Sequence, residues 1–240
     1  MKIEILGVKI DNITFQDAIE KARALLGDDK QNLMVTCNPE ILLHADKDNF
    51  FRDILNSASI CVADGFGLIL ASKFLKDSLM ERVVGVDFVG DFCKICEKES
   101  KSVYFLGGRD GIAQKTADRL KKRFPDLKIS GWLDGGINLK DCCKLIKSAS
   151  PDVLFVALGA PRQEKWIYDN LREIPSVKLA IGVGGAFDFI SGNVKRAPKF
   201  MRRLGLEWLW RLIIQPWRIR RIFNAVIVFP ILFFASIIKK

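Results

Sequence analysis

The chain has 240 residues, of which 49% are hydrophobic and 28% charged, so neither a disordered chain nor a polytopic membrane protein fits. The length suits one large domain, or a domain with an appendage. The net charge of +10 resides in the segment from Lys195 onward, which has 11 basic residues and one acidic residue, Glu207. The neutral first 194 residues argue against a protein that coats nucleic acid with its whole surface.

We expect no secretory signal, because residues 1–10 alternate apolar and charged side chains. Six scattered cysteines then indicate reduced cytosolic thiols. Cys93 and Cys96 form a CxxC pair in a predicted helix, and no second pair completes a zinc site. The single histidine, His44, excludes a multi-histidine metal centre. The DxD sequence at 46–48 falls in a predicted helix, so we interpret it as a chance match to a metal motif.

Short apolar segments alternate with amphipathic segments along most of the chain. The predicted strands are 33–37, 60–63, 103–106, 127–130, 153–158 and 179–183. The predicted helices are a segment from the cap Thr14 to about Leu26, then 87–98, 110–124, 139–148 and 162–171. Strands such as 153–158 are apolar on both faces, as in parallel sheets covered by helices. We therefore predict an α/β fold, a Rossmann-like parallel sheet with helices on both faces.

Polar or glycine-rich residues follow five of the strands, at the end of the sheet where open parallel sheets bind ligands. Glycines there let a phosphate approach the N–H groups that begin a helix, although glycine also simply makes tight turns. The glycine-rich segment 107–111 is not the dinucleotide fingerprint GxGxxG, because Arg109 occupies the second glycine position. A dinucleotide site is therefore not supported by its fingerprint.

Asp64 is the strongest single candidate for a catalytic residue. A carboxylate at a strand end can take the proton of a substrate hydroxyl if partial burial raises its pKa toward neutrality. An Asp-Gly pair can equally be a turn former. Thr36 and Asn38, at the neighbouring strand end, offer neutral groups suited to sugar hydroxyls, although Asn38 before Pro39 also suits a helix cap.

Seven ordered blocks carry a family resemblance. They are Thr36-x-Asn38-x-Glu40, Asp64-Gly65-x-Gly67, Glu81-Arg82-Val83-x-Gly85-x-Asp87, Gly159-Ala160-Pro161-x-Gln163-Glu164-x-Trp166, Gly182-Val183-Gly184-Gly185-x-Phe187-Asp188, Arg196-Ala197-Pro198, and Gly205-Leu206-Glu207-Trp208-Leu209-x-Arg211-Leu212 followed by Gln215-Pro216-Trp217-Arg218. Together they resemble the WecG/TagA/CpsF glycosyltransferases, glycosyltransferase family 26, over about residues 1 to 221. Ala63 departs from the pattern, since the family often has proline before Asp-Gly, and this should matter little to the chemistry.

The resemblance implies an inverting transfer, without a metal or other cofactor, from a UDP-sugar to a polyprenyl-diphosphate-linked acceptor. In the best-known members the sugar is N-acetylmannosamine or its uronic acid, and the acceptor carries N-acetylglucosamine. Asp64 matches the proposed catalytic base, with Arg82 as a further catalytic candidate. The matching substrate-binding candidates are Thr36, Asn38, Gly65, Gln163, Gly184 and Gly185. Arg211, Arg218 and Arg221 match arginines of an appendage that completes the site over the diphosphate at the membrane.

The C-terminal segment has the composition of a membrane interface. Residues 195–221 combine nine basic residues with Trp208, Trp210 and Trp217, although a solvated or core-packed basic helix is the plainer alternative. Residues 222–238 are mostly apolar, and a straight helix of that length would reach roughly 26 Å, just short of a ~30 Å hydrocarbon core. Because Pro230 interrupts this segment, we expect a shallow or re-entrant anchor, with a single membrane span as the alternative.

We therefore predict a catalytic domain at 1–194, a membrane-associating appendage at 195–221 and an apolar tail at 222–240. The expected partners are a UDP-sugar, a polyprenyl-diphosphate acceptor and the anionic cytoplasmic face of a bacterial membrane, without nucleic acid. One alternative transfers glucose or glucuronic acid in capsule or exopolysaccharide assembly. Another is a Rossmann-like nucleotide binder with a nucleic-acid-binding tail. The apolar tail also suits a homo-oligomer interface.

Overall fold

The computed structural model describes residues 1–136 and 139–238, so Lys239 and Lys240 at the end of the predicted tail lie outside the described residues. The chain begins with an antiparallel hairpin of β1 (Lys2–Ile5) and β2 (Val8–Asp11). Its apolar side chains are buried and its lysines exposed. The interpretation of the sequence did not include these strands, although the alternation used to exclude a signal peptide is also that of a half-buried strand.

Six parallel strands form the central sheet in the described part of the chain. They are β3 (Asn32–Cys37), β4 (Ile60–Ala63), β5 (Ser102–Gly107), β6 (Lys128–Leu133), β7 (Val153–Ala157) and β8 (Leu179–Gly182), in the spatial order β4-β3-β8-β7-β5-β6. The predicted parallel sheet is confirmed. Its order places the carboxyl ends of β4, β3, β8 and β7 side by side.

Helices cover both faces of the sheet, as predicted. They are α1 (Phe15–Ala24), α2 (Pro39–Lys47), α3 (Asn49–Ser57), α4 (Phe66–Ser72), α5 (Gly85–Lys98), α6 (Ile112–Arg123), α7 (Leu139–Ala149), α8 (Arg162–Asn170) and α9 (Ala186–Ile190). Successive residues of β3 enter different cores: Val35 packs with α2, α3, α4, α7 and α8, and Met34 packs with α1, α5, α6 and α9. Thr14 caps α1 by accepting the Asp17 N–H, which confirms the predicted helix start.

The chain after α9 folds into shorter helices that return over the carboxyl ends of the strands. They are α10 (Lys199–Arg203), α11 (Glu207–Ile214), a 3₁₀ turn (Pro216–Arg218), α12 (Ile219–Phe223), a π-helical segment (Asn224–Val228) and α13 (Phe229–Ile238). Pro216 begins the 3₁₀ turn from which the helix restarts after α11. The proline at position 230 does not end it, because the wide π-helical turn just before it makes room for the ring.

The helical segment Pro216–Ile238 is long and apolar enough to cross a membrane, a test that core helices of soluble proteins also pass. Of its described residues, Phe229 and Phe233 are buried, at 1% and 2% exposure, in the core beside α2 and α4. This segment therefore lies against the body of the protein along part of its length.

Candidate active site

A cavity of about 1080 Å³ opens at the carboxyl ends of the strands and continues beneath the C-terminal helices. All the site residues predicted from the sequence line it: Thr36, Asn38, Asp64, Gly65, Arg82, Gln163, Gly184, Gly185, Arg211, Arg218 and Arg221. The structure thus brings together residues from both sides of the composition break at Lys195. The chemical role of each residue, and the division into three segments, stay predictions.

Asp64 follows β4 with its side chain half-buried, and its backbone N–H donates to the Cys37 carbonyl over 2.7 Å. Burial raises the pKa of its carboxyl group to about 6, and the charge of Glu207 adds to the rise. The guanidinium groups of Arg82 and Arg211 act in the opposite direction. A carboxyl group with this pKa is largely ionised at neutral pH yet basic enough to take a proton, as a general base requires.

Thr36 and Asn38 both have structural partners and both face the cavity. The Thr36 hydroxyl donates to the Gly182 carbonyl over 2.8 Å, which joins β3 to β8. Asn38 Oδ1 accepts the Ile41 N–H over 3.1 Å, so the helix-cap interpretation is confirmed for this residue. Because a cap uses only the amide oxygen, a substrate-binding role for the rest of the Asn38 side chain stays compatible with it.

Gln163 joins the loops that follow β7 and β8. Its Oε1 accepts the N–H groups of Gly159 (3.2 Å) and Gly184 (3.1 Å), and its Nε2 donates to Glu164 Oε1 (2.7 Å). A Cβ at position 182 would lie 3.0 Å from Gln163 Nε2 and 3.1 Å from Glu164 Oε1, so glycine lets these side chains approach the strand closely. The N–H groups of Gly159 and Gly184 are thus already used, and these glycines shape the loops rather than offering free donors to a phosphate.

Glu164 is fully buried and was assigned no role from the sequence. Burial raises its pKa to about 7, more than the hydrogen bond from Gln163 lowers it. Within the described residues its second carboxylate oxygen has no hydrogen-bond partner. A glutamate in the first turn of a helix usually faces solvent, so only the tertiary structure reveals this buried carboxyl group.

Arg211, Arg218 and Arg221 bring three guanidinium groups to one side of the cavity. Arg211 stacks over the Phe189 ring at 4.4 Å, and Gly185 gives it room, since a Cβ there would lie 2.9 Å from Arg211 Nη2. Arg221 Nη2 donates to Glu40 over 2.6 Å. These contacts hold Arg211 and Arg221 in place, and Arg218 Nη2 lies 3.9 Å from Asp188 Oδ2.

The same cluster has unused capacity for an anion. In the part of the chain that the structure describes, Nε and Nη2 of Arg211 and Nε of Arg218 are buried without a hydrogen-bond partner. Burial, together with the charges of Arg211 and Arg221, lowers the pKa of Arg218 to about 10. Buried, mutually repelling guanidinium groups with free donors suit a diphosphate, which neutralises them and accepts their hydrogen bonds.

Glu207 is a site residue that the interpretation of the sequence missed. It lies 3.7 Å from Arg82 and 3.9 Å from Arg196, and its charge acts on Asp64, so it links α11 to the body of the protein. Arg196 is in turn paired with Asp87. A signal was present, because Glu207 is the single acidic residue after Lys195, and an isolated acid in a cationic segment usually has a specific partner.

Within residues 1–136 and 139–238, no group of three or more His, Cys, Asp or Glu side chains is placed to hold a metal ion. Cys93 and Cys96 are buried in α5, and burial raises the pKa of Cys96 to about 12, so its thiol stays protonated at neutral pH. Asp48 caps α3 and pairs with Lys165 over 2.7 Å. The motif-like cysteines are therefore buried in a helix and Asp48 is a helix cap, whereas metal-independent transfer stays a prediction.

Comparison with known proteins identifies the family. The sequence matches the profile of the glycosyl transferase WecG/TagA/CpsF family over residues 3–240. The chain belongs to this family. It is therefore a glycosyltransferase, of the hexosyltransferase type, and the alternative of a nucleotide binder with a nucleic-acid-binding tail is set aside.

Three relatives of this WecG/TagA/CpsF glycosyltransferase are each named N-acetylglucosaminyldiphosphoundecaprenol N-acetyl-beta-D-mannosaminyltransferase. The protein of Bacillus subtilis strain 168 is 38% identical over 190 residues, 79% of this chain and 74% of its own length. That of Bacillus spizizenii strain W23 is 36% identical over 200 residues, 83% and 77%. That of Staphylococcus aureus strain MRSA252 is 34% identical over 225 residues, 92% and 88%.

Proposed function

We propose that this transferase moves N-acetylmannosamine, or its uronic acid, from a UDP-sugar to N-acetylglucosamine on a polyprenyl diphosphate, with inversion at the anomeric carbon. The names of the three relatives support the sugar and the acceptor. The observation that carries the proposal is the placement of the half-buried carboxyl group of Asp64 and the arginine cluster in one cavity. The product is an intermediate of cell-surface polysaccharide assembly.

In the proposed reaction Asp64 takes the proton of the acceptor hydroxyl. The acceptor oxygen then forms a bond to the anomeric carbon on the face opposite UDP, while the bond from that carbon to the diphosphate oxygen breaks. The departing diphosphate gains negative charge. Arg82 and Arg211, which line the same cavity and whose charges both act on Asp64, are the groups that would stabilise it. These fixed cations support a mechanism that needs no metal ion.

We also propose that the protein is a peripheral one on the cytoplasmic face of the membrane. Burial of Phe229 and Phe233 against the body argues for a helix that lies along the membrane surface rather than crossing it. Trp217, 73% exposed, is free to enter the headgroup region. Trp210 is not, because its indole N–H donates to the Lys195 carbonyl over 2.9 Å.

The test supplies the full-length enzyme with undecaprenyl-diphosphate-linked N-acetylglucosamine in anionic vesicles and a panel of UDP-sugars. We expect UDP-N-acetylmannosamine or its uronic acid to be the preferred donor, with a β-linked product by mass spectrometry and NMR. Preferred transfer from UDP-glucose or UDP-glucuronic acid would instead assign the enzyme to capsule or exopolysaccharide assembly. Transfer that persists in excess EDTA would support the metal-independent mechanism.

A further inference from the structure

One face of the C-terminal helical segment changes along its length from cationic to apolar. The residues of this face that line the cavity are Arg218, Arg221, Ile222, Ala225, Val226, Phe229, Pro230 and Phe233. Their spacing of three, four, seven and eight residues places them on one side of a helix. The arginine cluster is therefore continuous with an apolar stripe that leads away from Asp64.

The facing wall of this apolar arm is formed by helix α4, with Leu70 and Ala71, and by Phe74 just after it. The arm is closed at one side by an edge-to-face contact between the rings of Phe74 and Phe234, whose centroids are 5.0 Å apart. Leu70 and Phe74 are 45% and 63% exposed at its rim. Phe229 and Phe233 are buried against the body, whereas Ile222, Ala225, Val226 and Pro230 are partly exposed. The arm is thus an apolar groove along the partly exposed residues of this helix, with its distal phenylalanines packed against the body.

The combination of charges and apolar surface restricts what the arm can hold. A sugar nucleotide has no apolar chain to place there, and water gains nothing from aliphatic and aromatic walls. A ligand that fills both parts needs an anionic group for Arg218 and Arg221 and a hydrocarbon chain attached to it. A prenyl diphosphate has this constitution.

We infer that the apolar arm holds the first isoprene units of the acceptor, with the acceptor diphosphate at Arg218 and Arg221. This inference rests on the proposed function, since it locates the lipid part of the proposed acceptor. From Arg218 to Phe233 the helix advances about 22 Å at ~1.5 Å per residue, so the arm takes the head-proximal part of a long polyprenyl chain. The remainder stays in the bilayer beside the C-terminal helix.

A binding measurement tests the arm without relying on sugar transfer. Isothermal titration of the full-length protein compares geranylgeranyl diphosphate with inorganic diphosphate. We expect the prenyl compound to bind more than roughly tenfold tighter, because a few buried methylene groups supply that difference. Ala225→Phe, which places a ring in the arm, should remove most of the preference.

The matched control is Ile231→Phe, which adds a ring to the same helix at an exposed position outside the cavity. It should keep the preference for the prenyl compound. If Ala225→Phe fails to fold, as judged by thermal melting, Phe74→Ala tests the opposite wall and should also weaken the preference. Both measurements thus bear on the arm and not on the general hydrophobicity of the helix.

Three outcomes would overturn the inference. In the first, the unsubstituted protein binds geranylgeranyl diphosphate and inorganic diphosphate equally well. In the second, the Ala225 and Ile231 variants lose the preference for the prenyl compound equally. In the third, a short-chain phosphatidic acid binds as tightly as geranylgeranyl diphosphate, which would make a phospholipid the occupant. Preferred binding of the prenyl compound without transfer to any lipid-linked acceptor would contradict the proposed function but not the assignment of the arm. Transfer without that preference would contradict the assignment of the arm but not the proposed function.

Discussion

At the scale of single residues, the candidate base Asp64 is distinguished by its surroundings more than by its residue type. Asp64 differs from the exposed Asp53 because it is half-buried and because Arg82, Arg211 and Glu207 all act on its charge. These opposing effects leave its pKa at about 6, between that of a free carboxyl group and neutrality. The residue is therefore ionised at neutral pH and still able to accept a proton.

We expect Asp64→Asn to lower kcat by roughly 10²–10⁴-fold, because the amide cannot accept the proton, while UDP affinity by calorimetry stays nearly intact. In the unsubstituted enzyme, kcat/KM should rise with pH through about 6 and level off above it. Asp53→Asn, at an exposed position on α3, is the control. Substantial turnover by Asp64→Asn would remove Asp64 as the base.

Glu164 makes stability depend on pH. Its pKa of about 7 in the folded protein lies above the ordinary value, so the folded state holds a proton that the unfolded state releases. Its contribution is fully present below pH ~4.5 and is lost as pH rises to about 7, a loss of about 3 kcal/mol at ~1.36 kcal/mol per pKa unit. Thermal melting should show that Glu164→Gln flattens this decline between pH 5 and 8. The exposed Glu173→Gln should keep the decline, and equal declines in both variants would contradict the assignment.

At the scale of elements, α11 is electrostatically coupled to β4. Glu207 carries a negative charge from the C-terminal segment to the neighbourhood of Asp64, where it raises the pKa of that carboxyl group. It also approaches Arg82 and Arg196. The C-terminal segment thus acts on the pKa of Asp64 and also supplies the arginine cluster of the cavity.

Glu207→Gln should move the acidic limb of the kcat/KM profile to lower pH, because the negative charge that raises the pKa of Asp64 is gone. It should also lower kcat/KM, since Arg82 loses an ion-pair partner. The readout is the pH at half-maximal kcat/KM, compared with Glu173→Gln. An unshifted limb would show that α11 does not influence the base.

Secondary-structure elements were predicted correctly where one hydrophobic pattern dominates the segment. They were missed where tertiary contacts determine the local structure. Strands β3, β7 and β8 are apolar on both faces, so their type and parallel arrangement followed from composition. The hairpin β1–β2 was missed, although its alternation was visible. The continuation of the helix through position 230 depends on a preceding π-helical turn, which residue periodicity does not encode.

For the site, strand ends and family motifs led to Asp64, Thr36 and the arginines. Neither could reveal that Glu164 is buried or that Glu207 approaches Arg82, because both facts arise from segments that meet only in the folded chain.

At the scale of the whole molecule, we expect the charge asymmetry to orient the protein on an anionic membrane. The basic segment and exposed Trp217 lie on the side of the C-terminal helices, so we expect binding to phosphatidylglycerol vesicles that weakens as salt rises. Arg220→Glu, at an exposed position outside the cavity, should reduce vesicle binding by roughly tenfold in a sedimentation assay, since each cation contributes about 1 kcal/mol. Arg172→Glu, exposed on the body, is the control, and an equal reduction there would indicate only a general charge effect.

The cavity has a polar end and an apolar end, and on the proposed function these ends receive substrates from different phases. The sugar nucleotide arrives by diffusion in three dimensions, whereas the acceptor arrives by lateral diffusion within a leaflet. The rate then follows the surface density of the acceptor and not its bulk concentration. Diluting the acceptor with inert phospholipid at constant total acceptor should therefore slow the enzyme, a dependence that an enzyme with two dissolved substrates would not have.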